Sequence, residues 1–222
     1  MLINIHRHFP QPPYPPVPEG ILEIESRYYG QTGAAAAAYC SVGLHPWYLK
    51  DINWLAATQW LQEQIAQPAT LLIGEAGLDK VCDTPWAEQL RAFELCAKLA
   101  EIAQKPLVIH CVRAYSELLT CKNLWRPTQP WIIHGFNKHP QTAKMLLEAG
   151  CLLSFGAAIL QNNSHAAEAL ATCPADCFFL ETDDNFQYTI DNIYARAAQI
   201  RHCTLEEIVL QVESNFLLLR EK

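Results

Sequence analysis

Residues 106–110 read Pro-Leu-Val-Ile-His, an aliphatic run that follows a proline and stops at a histidine. Runs of this kind, rich in Leu, Ile and Val and bounded by Gly, Pro or polar residues, are typical of strands that are buried on both faces. The same form recurs along the chain. It predicts eight strands, at residues 2–5, 21–26, 38–44, 71–74, 107–109, 131–133, 151–155 and 178–181.

Between most of these runs, apolar residues recur at helical spacing. We expect Thr84, which precedes Pro85, to cap one helix, and Gly150 to end another. Strands that alternate with helices favour a parallel sheet with helical crossovers. The predicted helices cover residues 54–65, 86–103, 140–149, 190–200 and 205–219.

Eight strands with intervening helices predict an α/β fold, a distorted and compact (β/α)8 TIM barrel. The chain has 222 residues, which is near the small end of the range for this fold, and we expect residues 1–222 to form a single domain. A doubly wound open sheet is the alternative. In a barrel, the active site lies at the carboxyl ends of the strands.

The composition limits the class of protein. Hydrophobic residues make up 50% of the chain and charged residues 18%, which is typical of a folded domain. The formal charge of −7, with no cluster of Lys or Arg, argues against tight, processive binding to nucleic acid. We find no apolar stretch of membrane-spanning length and no basic leader, so we expect a cytoplasmic protein without membrane contact and infer no obligate protein partner.

The nine cysteines include no Cys-x-x-Cys pair, which argues against a structural zinc ribbon. We interpret them as reduced core thiols, since Cys96, Cys111, Cys151 and Cys177 fall in apolar segments.

Six prolines lie in residues 9–20 and predict a stiff, extended segment. That segment is either a rigid connector or one wall of a pocket.

Histidines and acids stand at the ends of several apolar runs. His6 and His8 are two residues apart, so that on a strand their imidazoles point to the same face. Alone, His6 and His8 are equally typical of surface histidines, His110 and His134 are typical of buried, hydrogen-bonded histidines, and Asp183 is most typical of a helix cap. Their recurrence at strand ends favours a metal site. The candidate metal ligands are His6, His8, Glu75, His110, His134 and Asp183.

Nitrogen and oxygen ligands suit zinc, manganese or iron, and also magnesium if waters complete the shell. Six ligands are too many for one tetrahedral ion with an open position, so we predict two divalent metal ions.

These residues lie in blocks that together resemble the TatD family of metal-dependent deoxyribonucleases, within the amidohydrolase-like barrel enzymes. The resemblance runs in order along nearly the whole chain. The blocks are Ile5-His6-Arg7-His8, Val42-Gly43-Leu44-His45-Pro46, Ile73-Gly74-Glu75-Ala76-Gly77-Leu78-Asp79, Pro106-Leu107-Val108-Ile109-His110, His134-Gly135-Phe136, Leu152-Leu153-Ser154-Phe155-Gly156, Glu181-Thr182-Asp183 and Val212-x-x-Asn215-Phe216.

The resemblance implies catalytic roles for Asp183 and Glu75. Asp183 would orient or deprotonate the attacking water, and Glu75 would bridge the two ions. It also implies that His45 lies near the scissile phosphate, although a histidine held at a loop start by the following proline is an open alternative. In the implied ligand sets, His6, His8 and Asp183 hold one ion, and His110 and His134 hold the other.

The chain departs from the family pattern around this centre. Asn4 replaces the usual Asp, Trp47 the usual His, and Val112 the usual Arg, with Arg113 displaced by one; Asp184 replaces a small residue. These changes bear on substrate recognition rather than on the metal ligands. The candidate basic residues near the rim are Lys80, Arg113, Lys138 and Lys144.

The resemblance implies hydrolysis of DNA phosphodiester bonds, with DNA ends or short single strands as the expected substrate. Hydrolysis of a small amide, lactone or ester is the closest alternative, since an acidified water also attacks carbonyls. A non-catalytic metal-binding scaffold is the alternative from another class.

Overall fold

The computed structural model describes residues 1–9, 16–31 and 36–220. Within these residues, eight strands form one sheet in the order of the chain. Arg7 forms a parallel bridge with Asp183, so the end of the first strand pairs with the segment that follows the last. This topology confirms the (β/α)8 fold class and excludes the doubly wound alternative, whose strand order is not sequential. The strands are β1 Leu2–Arg7, β2 Ile21–Tyr28, β3 Tyr39–Gly43, β4 Thr70–Asp79, β5 Leu107–Val112, β6 Trp131–Ile133, β7 Cys151–Phe155 and β8 Phe178–Leu180.

Seven α-helices lie in the same described ranges: α1 Trp54–Ile65, α2 Trp86–Ala103, α3 Tyr115–Trp125, α4 Pro140–Glu148, α5 His165–Thr172, α6 Ile190–Arg201 and α7 Leu205–Arg220. The sequence did not predict α3 and α5. Helix α3 buries only Leu118 and Cys121, and the buried face of α5 consists of two alanines and Leu170, so that the apolar stripe of each is weak.

The predicted cap of α2 is wrong. The Thr84 hydroxyl donates a hydrogen bond to the carbonyl of Pro46, and Pro85 itself is the N-terminal capping residue. The predicted stop of α4 is confirmed, because Gly150 has φ +74° and donates its N–H to the carbonyl of Leu147.

Strand β4 is longer than the predicted residues 71–74. It runs on to Asp79, so Glu75 lies inside the strand rather than at its end. Gly77 pairs with His110, and a Cβ at Gly77 would lie 2.0 Å from the His110 carbonyl oxygen. The glycine therefore lets β4 and β5 pair closely, a role that a local pattern does not distinguish from a turn.

The chain divides into two compact units, which are Met1–Ile24 with Ile133–Lys222, and Glu25–Ile132. In the first, the hydroxyl of Tyr194 hydrogen-bonds to the backbone of Ile3, which ties α6 to β1. In the second, the rings of Phe93, Trp125 and Trp131 pack together with centroids 5.1 to 6.1 Å apart. The single domain predicted for residues 1–222 stays a prediction.

All nine cysteines are free thiols. Burial raises the pKa of Cys96 to about 12, as expected for a core thiol. Cys82, Cys177 and Cys203 are only half-buried, which corrects their assignment to the core. Cys177 lies in the 3-10 turn Ala175–Cys177 before β8, and none of the three residues of that turn is buried.

No helix in the described part of the chain combines the length and the apolar composition that crossing a membrane requires. Of the proline-rich segment, residues 10–15 lie outside the described residues, and so does the wall or connector predicted there.

Candidate metal centre

The backbone brings His6, His8 and Asp183 together. The N–H of Asp183 donates to the carbonyl of His6 at 3.1 Å, and the N–H of His8 donates to the carbonyl of Asp183 at 3.0 Å. Asp183 has φ +54°, a left-handed conformation that Asp adopts more readily than most residues. These hydrogen bonds fix three predicted ligands at one edge of the sheet, and we call the three the β1/β8 cluster.

The distances in the β1/β8 cluster fit a shared cation. Asp183 Oδ1 lies 3.6 Å from His6 Nε2 and 3.7 Å from His8 Nε2, which is beyond hydrogen-bond range. The ligand atoms of all three lie within 4.8 Å of one another. Two ligands of one tetrahedral zinc ion, each about 2.1 Å from it, are separated by about 3.4 Å. The side chain of Asp183 is 33% exposed, so the cluster is open to solvent on that side.

His134 adjoins the same cluster, together with a carboxylate that the sequence did not assign a role. The His134 ring centroid is 4.3 Å from that of His6, and His134 Nδ1 is 3.5 Å from Glu181 Oε1. Glu181 is fully buried and accepts the N–H of Gly135 at 2.6 Å. Ligand atoms of His134, Glu181 and Asp183 also lie within 4.8 Å of one another. In the sequence, Glu181 could have been identified as a second acid two residues before Asp183.

A second group of ligand atoms forms around Glu75. Glu75 Oε1 lies 3.0 Å from His45 Nε2 and 2.8 Å from His110 Nδ1, and all three residues are buried. We call these three residues the β4/β5 cluster. The structure thus brings together Glu75 and His110, as predicted for metal ligands, and adds His45 as a direct partner of Glu75. The predicted contact of His45 with a phosphate stays a prediction.

Asp79 continues this chain of contacts and was also missed as a site residue. Asp79 Oδ2 lies 3.1 Å from His110 Nε2 and accepts the indole N–H of Trp47 at 2.7 Å. Burial opposes ionisation, but the hydrogen bonds from Trp47, the Val81 N–H and His110 outweigh it and lower the pKa of Asp79. When His110 Nε2 donates to the ionised Asp79, a neutral ring presents the Nδ1 lone pair to a cation.

The chain matches a known family over most of its length. A sequence model of the family described as "TatD related DNase" matches residues 25–220. The chain belongs to this family. The TatD resemblance of the sequence blocks is therefore confirmed.

Curated TatD relatives include two from Escherichia coli K12. One is named an uncharacterized metal-dependent hydrolase, YjjV, and is 25% identical over 82% of this chain and 78% of its own length. The other is named a 3'-5' ssDNA/RNA exonuclease, TatD, and is 27% identical over 67% of this chain and 58% of its own length. A human relative named 3'-5' RNA nuclease TATDN2 is 33% identical over 64% of this chain. The matched region covers 19% of the human protein.

Solved TatD-family structures share the fold. The E. coli YjjV crystal structure aligns with a TM-score of 0.70 at 24% identity, over 83% of this chain and 77% of that one. A TatD-family hydrolase from Entamoeba histolytica aligns with a TM-score of 0.69 at 18% identity, over 82% and 74%. The chain, a member of the TatD family by its sequence match, therefore has the (β/α)8 fold of these structures.

The residues that depart from the TatD pattern lie in different surroundings. Buried Asn4 donates from Nδ2 to the Thr182 hydroxyl at 2.8 Å and accepts the Thr182 N–H at 3.0 Å, so its amide joins β1 to the segment after β8. Val112 ends β5, and the next residue, Arg113, is exposed with φ +54°. Asp184 is exposed.

The predicted basic residues differ in their surroundings. Lys80 forms an ion pair with Glu117, and Lys144 lies 3.8 Å from Glu148 on the exposed face of α4. Lys138 is half-buried in the segment after β6. Lys144 is therefore part of a helix-surface pair, which corrects its placement at the rim.

Proposed function

We propose that this TatD-family hydrolase cleaves phosphodiester bonds in nucleic acid, with two divalent cations. The β1/β8 cluster is the observation that carries the proposal, because three ligand atoms converge there on rigid, hydrogen-bonded backbone. The names of the bacterial and human relatives support a nucleic-acid substrate. DNA ends and short single strands are the proposed substrates, since the charge of −7 does not favour binding along a duplex.

The proposed ligands are those of the family resemblance: His6, His8 and Asp183 for one ion, His110 and His134 for the other, and Glu75 as the bridge. Imidazole and carboxylate donors suit zinc, manganese or iron, and magnesium with added waters. When bound, such cations acidify water and neutralise charge on phosphate oxygens.

We assign the proton transfer to Asp183, whose carboxylate is partly exposed and therefore reachable by water. The water oxygen bonds to phosphorus as the P–O ester bond breaks, Asp183 Oδ1 takes one proton of the water, and the leaving alkoxide takes a proton from solvent and departs as the alcohol. Glu75 Oε1, between His45 and His110, keeps both imidazoles oriented. His45 is proposed to contact the phosphate.

Metal reconstitution tests this function. Protein stripped of metal is reloaded with Mg²⁺, Mn²⁺ or Zn²⁺ and assayed in parallel on labelled single-stranded DNA, an aryl phosphodiester and an aryl acetate. We expect phosphodiester turnover that is lost in Glu75→Gln and Asp183→Asn. The control Glu148→Gln removes an exposed charge on α4 and should retain activity.

The other outcomes identify the alternatives. Turnover of the aryl acetate alone overturns the nuclease proposal in favour of an amidohydrolase-type reaction. Stoichiometric metal binding without turnover of any substrate overturns it in favour of a metal-binding scaffold.

A further inference from the structure

Two large aromatic side chains are exposed directly after His45. Trp47 and Tyr48 belong to the 3-10 helix Pro46–Tyr48, and 54% of Trp47 and 44% of Tyr48 are exposed. Other exposed apolar residues of the same unit, such as Leu55 and Ile102, lie on helices α1 and α2. Trp47 and Tyr48 instead adjoin the polar side chains of the candidate metal centre, and we call the pair the aromatic rim.

Trp47 is held in place from two sides. Its indole N–H donates to Asp79 Oδ2 at 2.7 Å, and its backbone N–H donates to His45 Nδ1 at 3.1 Å. Its ring lies edge-on to His45 and His110, with centroids 5.1 and 5.6 Å away. A ring fixed in advance loses little conformational entropy when a ligand contacts it.

Tyr48 is fixed by a second aromatic contact. Its ring stacks on Tyr28 with centroids 4.1 Å apart and an interplanar angle of 18°, and it lies 5.3 Å from the His45 ring. Tyr28 therefore packs against the ring of Tyr48, while nearly half of Tyr48 stays exposed.

The charges beside the aromatic rim argue against binding by electrostatic attraction. A cavity of about 430 Å³ next to Trp47 is lined by Lys50, Asp79 and Asp83, among other residues, so that acids outnumber bases there. The whole chain carries −7. Apart from the proposed cations, this surface offers little attraction for phosphates, and stacking of a base on an aromatic ring would add about 1–3 kcal/mol that does not depend on charge.

We propose that Trp47 is a stacking platform for a nucleobase of a single-stranded substrate. This inference rests on the proposed phosphodiesterase function. Bases in a duplex are already stacked on each other and paired, whereas those of a single strand are available to an exposed ring. The aromatic rim is thus a specificity element that favours single strands and short ends.

The test compares two substrates that differ only in their bases. One is the hexanucleotide dT6, and the other is a hexamer of abasic deoxynucleotides with the same phosphates. Trp47→Ala should raise KM for dT6 by about 5- to 150-fold, the equivalent of 1–3 kcal/mol, and leave KM for the abasic hexamer within about twofold. Should Trp47→Ala not fold, Trp47→Leu replaces it, since Leu fills space without a π face.

Two further variants separate stacking from support of Asp79. Trp47→Phe keeps an aromatic face and loses the indole N–H, so it should retain the preference for dT6. Tyr39→Ala, an exposed tyrosine at the other end of β3, is the matched control and should change neither KM.

If Trp47→Phe and Trp47→Ala raise KM equally for both substrates, the platform proposal is overturned. Trp47 is then a positioning residue for Asp79. Equal cleavage of dT6 and the abasic hexamer by the wild type and by Trp47→Ala also overturns the platform, with the phosphodiesterase proposal intact. A metal-loaded wild type that cleaves neither hexamer nor an aryl phosphodiester overturns the proposed function and the platform together.

Discussion

Asp183 contacts His6 through both its main chain and its side chain. Its N–H donates to the His6 carbonyl at 3.1 Å, and its Oδ1 lies 3.6 Å from His6 Nε2. The main-chain hydrogen bond sets where the carboxylate lies, and the carboxylate itself is partly exposed. A substitution that changes only the carboxylate of Asp183 therefore leaves its backbone hydrogen bonds intact.

Asp183→Asn should weaken cation binding without unfolding the protein. The amide keeps the size of the side chain and leaves the backbone bonds to β1 intact, but it removes the negative charge. We expect Mn²⁺ affinity, measured by calorimetric titration, to fall at least about tenfold, and Tm to change by less than about 2 °C. An unchanged Mn²⁺ affinity would remove Asp183 from the proposed ligand set.

Asp79→Asn should weaken metal binding at the proposed site of His110, although Asp79 is not itself a proposed ligand. Asp79 accepts from Trp47 Nε1 and lies 3.1 Å from His110 Nε2, so its loss frees the His110 ring to change tautomer. We expect a 10- to 100-fold lower metal affinity, measured by competition with a chelator. Asp83→Asn, an exposed acid of the same cavity, is the control. Equal effects of both variants would contradict the positioning role.

Gly77→Ala should destabilise the pairing of β4 with β5. The added Cβ would lie 2.0 Å from the His110 carbonyl oxygen, and Gly77 has φ +155°. We expect the free energy of unfolding to fall by about 3 kcal/mol or more, measured by urea titration. Gly30→Ala, where φ is +91° and no atom of the described residues beyond its chain neighbours lies within 4 Å of the added Cβ, should cost only about 1–2 kcal/mol. Similar values for the two variants would refute close packing at Gly77.

Glu101→Gln should change how stability depends on pH. Burial favours the neutral acid, but hydrogen bonds from Thr128 and from the Gln129 N–H outweigh it and lower the pKa of Glu101 below 4.5. A lowered folded-state pKa contributes stability above the unfolded value, and that contribution is lost as the pH falls through the folded value.

We therefore expect Glu101→Gln to be less stable by about 1 kcal/mol at pH 7, with the difference shrinking as the pH falls below 4.5 and through the folded-state pKa. Urea titrations at pH 7, 5 and 3.5 measure this. Glu94→Gln, which removes a surface partner of Lys98, should show little effect at any of these pH values. A constant difference across the range would contradict the assignment.

Much of the fold was predictable from local sequence, because a strand buried on both faces must be aliphatic throughout. The bounds of β6 and β7 and of α1 and α2 agree with the predictions. Strand β4 was predicted too short because its glycines serve a close approach to β5. Helices α3 and α5 were missed because α3 buries only two residues and the buried face of α5 is mostly alanine.

The sequence by itself determined the fold class and the types of candidate ligand, since aliphatic runs and the residues that follow them are local features of the chain. Only the tertiary structure decided which side chains share a hydrogen bond. Asp79 meets Trp47 across 32 residues, and Glu181 meets Gly135 across 46. Such pairs form because the sheet carries the ends of distant strands to the same edge, and no local pattern encodes which groups meet there.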